Sequence, residues 1–327
     1  MSTQADILAA FKEGRFIGSK ELPVHIETLT SHVFLSGEAA YKVYKEDSTV
    51  FNENFSDLSD PAIRSDFIRT DFEWNHAANP ATYIALKGAV IVDGQVIFVE
   101  TGESAHWVIV MNRFDSRNEL LRHLSAGTLT SADFGNMGSE LARSLTKVVR
   151  LRPDIDLYKS FVTHLVDLRA WIGELSGEIP VEEGAVYVDY LETFIETHRS
   201  DITSSADASM VVDGHMGNML LTDGTLSMID IFPPKEDWRY SHRDVNVYRL
   251  ATDIYALSGE EAFRAFLQGF EIASNRKLNK ELEPFFVTYA ASIMVPYLYV
   301  LGAKSELHMR AADQYHRFLR EYFARVA

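Results

Sequence analysis

Asp213, Asn218 five residues on and Asp230 twelve further are the side chains of this chain best suited to chemistry. A carboxylate, an amide and a second carboxylate are what transfer of a phosphoryl group requires. One acid accepts a hydrogen bond from an incoming hydroxyl and aligns it; two hard oxygen donors hold magnesium on ATP. The intervening sequence predicts that they flank one β-hairpin, because Met219-Leu220-Leu221-Thr222 and Thr225-Leu226-Ser227-Met228 surround the tight-turn pair Asp223-Gly224. All three groups would then converge at its open end. Taken singly, Asp213 and Asn218 are also ordinary turn residues and Asp230 an ordinary surface acid. The case for chemistry rests on what lies upstream.

Lys42 is inside the apolar run Ala39-Ala40-Tyr41-Lys42-Val43-Tyr44, where strand alternation puts Ala40, Lys42 and Tyr44 on one face. A lysine so placed can reach the α- and β-phosphates of a nucleotide under the sheet. It needs an acidic partner, and the next helical segment offers Asp71 and Glu73. Ile63, Phe67, Asp71, Trp74 and Ala78 follow helical spacing, so Asp71 falls on the apolar stripe, where a carboxylate is costly unless paired. Asp71 is therefore the expected partner. Thr30-Ser31, between the first two expected strands, could cover phosphates with amides and hydroxyls. No Walker-type G-x-x-x-x-G-K-[ST] run occurs. None of the eleven histidines forms an H-x-H or H-x-x-x-H set, and they read mostly as surface or core groups.

The elements needed to position these groups are legible. After an amphipathic leading helix, Val24 to Leu29, Val33 to Leu35 and Ala39 to Tyr44 read as a strand meander. Asp60-Pro61 opens a helix that Asn79-Pro80 closes near Ala78. A hairpin about Asp93-Gly94 joins Ala89 to Val92 with Gln95 to Val99, and Trp107 to Met111 is a last strand. Beyond Arg113 helices dominate: Asn118 to Leu124, Ser131 to Arg150, Tyr158 to Leu175, Val181 to Arg199, Glu260 to Asn275, Leu282 to Leu301 and Lys304 to Val326. The expectation is an α+β protein with a small, mostly antiparallel sheet lobe carrying one helix over residues 1–112, and a larger helical lobe over 113–327 that holds the catalytic hairpin.

Composition sets the outer bounds. A chain of 327 residues, 46% hydrophobic and 24% charged, has the length for two lobes. With no cysteine and no basic leader followed by an apolar run, a cytoplasmic location is expected. Residues 284–303 carry no formal charge and have the length of a membrane span, but Thr288, Ser292, Pro296 and three tyrosines mark a buried core helix, so no membrane partner is expected. The net charge of −16 argues against a nucleic-acid partner. Nine acids against one base, Arg199, fall between Glu174 and Asp207. That concentration reads either as a solvated helical face or as an attractor for a cation.

These residues together carry a family resemblance. Val211-Val212-Asp213-Gly214-His215-Met216-Gly217-Asn218 resembles the H-G-D-L-H-x-G-N loop of the aminoglycoside phosphotransferase branch of the protein-kinase-like superfamily. Glu27 to Gly37, running into Ala40-Tyr41-Lys42-Val43, is similar to the opening of a bacterial subgroup in which such a domain is often fused to a C-terminal P-loop ATP-binding domain. The chain reads as the kinase-like part alone. The likeness continues through Trp238-Arg239-Tyr240 and Asp244-Val245 and touches most of residues 24–255; residues 256–327 match only as generic helices.

The resemblance implies a bilobal kinase fold with ATP and Mg2+ in its cleft. It implies Asp213 as catalytic base, Asn218 and Asp230 as magnesium ligands, Lys42 as phosphate anchor, Met111 to Arg113 near the adenine, and Asp244 as a structural acid supporting the loop. The acceptor would be a hydroxyl on a small molecule, possibly polyamine-like or aminoglycoside-like given the acidic segment. One departure stands out: Val211-Val212 replaces the family's His-Gly and removes a loop-bracing histidine. That change favours the alternative of a nucleotide-binding pseudokinase, whereas the retained lysine, aspartates and asparagine favour an enzyme. A protein kinase is disfavoured by the absence of D-F-G and A-P-E.

Overall fold

The computed structural model describes residues 3–19, 21–174, 177–302 and 305–327. Two units emerge, Met1–Ser116 with Asp230–Glu236, and Arg117–Ile229 with Asp237–Ala327. The division after 112 expected from sequence therefore shifts. The amide of Arg113 still bonds Glu38 O at 2.8 Å, which carries the sheet unit past the last strand. The stretch beginning at Asp230 also returns to it: Ile231 N donates to Asn75 Oδ1 at 3.0 Å, and Phe232 packs edge-on against Phe67 and Trp74.

The first unit is built on six antiparallel strands: β1 (Val24–Glu27), β2 (Ser31–Ser36), β3 (Ala39–Tyr44), β4 (Tyr83–Val92), β5 (Gln95–Val99) and β6 (Trp107–Asn112). Their spatial order is β1-β2-β3-β6-β4-β5. The β4–β5 turn is the expected one, with Asp93 and Gly94 both at positive φ, as a two-residue hairpin loop requires. One face is covered by α1 (Gln4–Lys12), whose Ile7, Ala10 and Phe11 join Phe34, Tyr41, Val43 and Val108 in an apolar core. A short α2 (Thr49–Asn54), not expected from sequence, precedes α3 (Pro61–Ala78). Asp60 caps α3 by accepting from the amides of Ala62 and Ile63, and Pro61 takes the first helical position, as its φ favours. The buried row of α3 is Arg64, Phe67, Ile68, Asp71, Asn75 and Ala78, while Ile63 stays exposed.

The second unit contains α4 (Leu120–Ala126), α5 (Ser131–Val148), α6 (Leu157–Glu174), α7 (Val181–Thr197) and α8 (Arg199–Ile202). Then come the short strands β7 (Ala208–Met210), β8 (Met219–Thr222), β9 (Thr225–Met228) and β10 (Tyr240–His242). Four helices close the chain: α9 (Val245–Ser258), α10 (Glu260–Ser274), α11 (Glu283–Gly302) and α12 (Glu306–Val326). The helix termini expected at Leu175 and Lys304, and the end of the apolar stretch at Ala303, lie outside the described residues. α5 and α10 meet backbone to backbone: a Cβ on Gly138 would come within 2.0 Å of Phe266 O, and one on Gly269 within 1.9 Å of Gly135 O. α11 is long and apolar enough to cross a membrane, and 72% of that window is buried within the fold. α9, absent from the sequence-based expectation, is buried at every position from Val245 to Ala256.

Candidate active site

In the first unit, Lys42 lies opposite Val33 and Ile109 in the middle of the sheet and is 6% exposed. Its Nζ is 2.7 Å from Asp230 Oδ1 and 3.8 Å from Asp71 Oδ2, and it stands over the Tyr44 ring. Burial opposes its charge, but the two carboxylates outweigh burial and hold the ammonium well above the usual lysine range. Asp71 is the acid that faces Lys42, and Glu73 is exposed on the far side of the helix. Tyr44 Oη donates to Asp71 at 2.9 Å and Asn75 Nδ2 at 2.8 Å. Burial nevertheless pushes Asp71 up to about 6, with Lys42 pulling the other way.

Asp230 is held from a direction the sequence reading did not foresee. Its backbone is left-handed, φ 48°, a conformation costly for any residue but glycine. Tyr83, buried at the start of β4, clamps it: the phenol donates to Asp230 Oδ1 at 3.0 Å and accepts from Asp230 N at 2.9 Å. The carboxylate itself is half exposed.

The β1–β2 turn is ordered by its own side chains. Thr28 Oγ1 accepts from the amides of Thr30 at 3.3 Å and Ser31 at 2.9 Å and meets the Ser31 hydroxyl at 3.0 Å. Those two amides are thus turned toward Thr28, not outward as a phosphate cover would need. Met111 is buried opposite Ala40, and Arg113 is exposed one residue past the end of β6.

In the second unit, Asp213 follows Val211 and Val212, both buried. Asn218 Nδ2 donates to Asp213 O at 2.8 Å, so the amide nitrogen is the end spent on closing the loop. The oxygen end is the type of donor that a hard cation takes. His215 caps the single turn Met216–Asn218 by accepting from Gly217 N at 3.1 Å. A Cβ at Gly217 would lie 2.8 Å from that imidazole, so a larger residue would have to shift the His215 cap. The hairpin after the loop is the predicted one: Asp223 and Gly224 both have positive φ, and Ile229 N pairs with Asn218 O at 2.9 Å.

The brace for this loop comes from α9. Asn246 Oδ1 accepts from Val212 N at 2.8 Å and its Nδ2 donates to Met210 O at 3.0 Å. Arg249 Nη2 donates to Asp213 Oδ1 at 2.7 Å, and Asp253 Oδ2 accepts from Met216 N at 2.6 Å. Residues 246, 249 and 253 follow i, i+3, i+7 spacing and so share one helix face. Burial opposes the Arg249 charge, yet Asp213 and Asp253 more than offset it and raise the guanidinium above its ordinary range. Burial lifts Asp253 to about 7 against the Met216 amide, Arg249 and the Tyr315 hydroxyl, the last 2.9 Å away.

Asp244, expected to support the loop, precedes the first residue of α9 without a side-chain cap bond, and its carboxylate pairs with Arg276. The acidic segment is also partly committed. Glu183 binds Arg320 and His316, Asp189 and Glu192 share Arg169, Glu196 meets Arg199, and Asp207 meets Arg243.

The six-stranded antiparallel sheet unit, the helical unit and the hairpin define a protein-kinase-like fold of the aminoglycoside phosphotransferase type. Solved structures agree. The GDP and kanamycin complex of APH(2")-IIia matches with a TM-score of 0.52 at 10% identity, over 98% of this chain and 98% of that one. The AMP-bound complex of the spectinomycin phosphotransferase APH(9)-Ia matches with a TM-score of 0.50 at 10% identity, over 96% and 95%. No family model matches the chain. By sequence, uncharacterized proteins of Mycobacterium tuberculosis and Mycobacterium bovis are 24% identical over 279 residues, which is 82% of this chain. The chain spans about half (53%) of the length of those relatives.

Proposed function

We propose that this protein is an ATP-dependent phosphotransferase that moves the γ-phosphate to a hydroxyl of a small molecule. The observation that carries the reading is Lys42, a buried lysine kept charged by Asp71 and Asp230. A structural lysine has no need of two buried or half-buried acids; one that must meet phosphates needs its charge and a fixed position. In this reading Lys42 anchors the nucleotide phosphates, Asp71 positions it, Thr30 and Ser31 would contribute to the phosphate side through hydroxyls and not through their inward-turned amides, and Met111 and Arg113 flank the adenine.

Asp213 acts as base. Phosphoryl transfer passes through a loose transition state in which little proton transfer is needed early, so a carboxylate oriented by Arg249 suffices to align the hydroxyl. Magnesium bound with ATP supplies charge neutralisation on the transferred group. Asn218 and Asp230 are the residues proposed to hold it. Their chemistry fits: Asn218 keeps its nitrogen on the loop, and Asp230 is a half-exposed carboxylate fixed by Tyr83. The absence of cysteine agrees with a cytoplasmic enzyme.

A pseudokinase is the second reading, favoured by Val211-Val212 in place of the usual His-Gly. The α9 brace supports the enzyme instead, because it holds both valines' neighbourhood rigid without a histidine. Incubating the protein with ATP, magnesium and pools of metabolites and aminoglycosides separates the two. Acceptor-stimulated ATP turnover is expected, reduced about 10²–10⁴-fold in Asp213→Ala. Nucleotide binding with no turnover on any acceptor would support the pseudokinase, and loss of both binding and turnover would overturn both readings.

A further inference from the structure

The β1–β2 hairpin brings together three side chains that sequence spacing does not connect. His25 and Glu27 are alternate residues of β1 and share a face; His32 is the partner of Glu27 across the ladder, in β2. Their ligand atoms all lie within 4.8 Å of one another, and His25 Nε2 is 3.0 Å from His32 Nδ1. Two ligands of a tetrahedral zinc with bonds of about 2.0–2.1 Å are about 3.3–3.4 Å apart. The two imidazoles thus stand near ligand spacing without any change of backbone.

We propose that His25, Glu27 and His32 form a binding site for a transition-metal dication of the zinc class, on the opposite sheet face from Lys42. Two nitrogen donors select against magnesium and calcium, which take oxygen, and a single carboxylate completes a set of imidazole–carboxylate type. The rings are held for the purpose. His25 stacks on Phe34 at 4.7 Å, Phe34 stacks on Phe11 at 4.9 Å, and His32 is buried. Burial lowers both histidines, and nearby Lys12 and Lys45 push the same way while Glu27 opposes, which favours the neutral form that ligates a metal. One ring carries the shared proton in the hydrogen-bonded pair; ligation needs it only to move to that ring's other nitrogen.

Lys45 is the competitor. Its Nζ lies 2.7 Å from Glu27 Oε1 and 2.7 Å from Thr28 O, so a cation at the site displaces it or shares the carboxylate with it. Binding would join β1 to β2 directly below the Thr28–Ser31 turn. The site stands independently of the phosphotransfer reading.

The test is titration of the chelator-treated 327-residue chain with Co2+, followed by its visible absorption, and displacement by Zn2+. One equivalent is expected to give the intense band of a tetrahedral nitrogen–oxygen site. His25→Ala and His32→Ala should each weaken binding by at least 100-fold, Glu27→Ala by about 10-fold, and Lys45→Ala should tighten it several-fold. Because Glu27 is a surface group, its variant keeps the test valid if a histidine variant misfolds. No band in the wild type, a band unchanged in Glu27→Ala and the histidine variants, or weaker binding in Lys45→Ala would overturn the proposal.

Discussion

The two units fix their candidate site residues by opposite means. In the first, charges are held by other charges: Lys42, Asp71 and Asp230 come from a strand, a helix and a return segment and neutralise one another, with Tyr44 and Tyr83 filling the remaining hydrogen-bond positions. In the second, side chains of one helix hold the backbone of one loop: Asn246 and Asp253 take the amides of Val212 and Met216, and Arg249 reaches the carboxylate of Asp213. The first arrangement has a high cost for removing Lys42, because the buried charge of Asp71 is left unpaired. The second spreads its work over several contacts, of which Arg249–Asp213 is an ion pair and the others are single hydrogen bonds to backbone, each worth less.

The largest expected effect follows from that contrast. Lys42→Met should destabilise the protein by about 3–5 kcal/mol in urea unfolding, since it strands Asp71 in the interior. Adding Asp71→Asn should recover most of the loss. A single-variant cost under about 1 kcal/mol would mean that the charges are solvated and that the two units do not differ in this way.

Asn246→Ala should cost less, about 1–3 kcal/mol, for the amide of Val212 that it leaves buried without an acceptor. Its signature is a lowered kcat in the phosphotransfer assay with nucleotide affinity little changed. Equal loss in both would show the loop brace to be general stability and no more.

Smaller again, because confined to acid, is the pH response of the clasp between α7 and α12. Burial pulls Glu183 up, but Arg320, Tyr187 and His316 outweigh it and bring it from about 4.5 down to about 2. A depressed carboxyl contributes stability that is complete above its unfolded value and is lost as pH falls. The melting temperature should therefore drop between pH 4.5 and 2, and Glu183→Gln should flatten that part of the curve. The smallest change, about 1 kcal/mol, is expected for Tyr83→Phe, which removes two hydrogen bonds but no charge. It should raise the magnesium concentration needed for half-maximal turnover, because the left-handed backbone of Asp230 loses its clamp.

Much of the first unit could be read from sequence because its signals are local. Alternation found Lys42, helical spacing chose Asp71 over Glu73, and Asp60-Pro61 and Asp93-Gly94 marked a helix start and a turn by their intrinsic geometry. Tyr83 escaped because β4 begins irregularly, with a register shift between Tyr83 and Ala85, so alternation became visible only near Ala89. In the second unit the loop itself was legible as a motif, but its support was not. α9 is buried on every side, and a helix without a solvent-facing side lacks the apolar-in, polar-out stripe that periodicity detects. The signal that could have found it was the reverse pattern: Asn246, Arg249 and Asp253, three polar residues at helical spacing in an otherwise apolar run, each needing a buried partner. His25, Glu27 and His32 illustrate the same limit, since only strand pairing makes neighbours of residues 27 and 32.

The burial of α9 also governs time. Val212 and Met216 lie in a loop, where amide protons ordinarily exchange with solvent in the first minutes. Here their acceptors are side chains rooted in a helix with no solvent-facing residue between Val245 and Ala256. Those two protons should therefore exchange far more slowly than loop amides do, at a rate tied to the loosening of α9, which residue-by-residue hydrogen exchange would read.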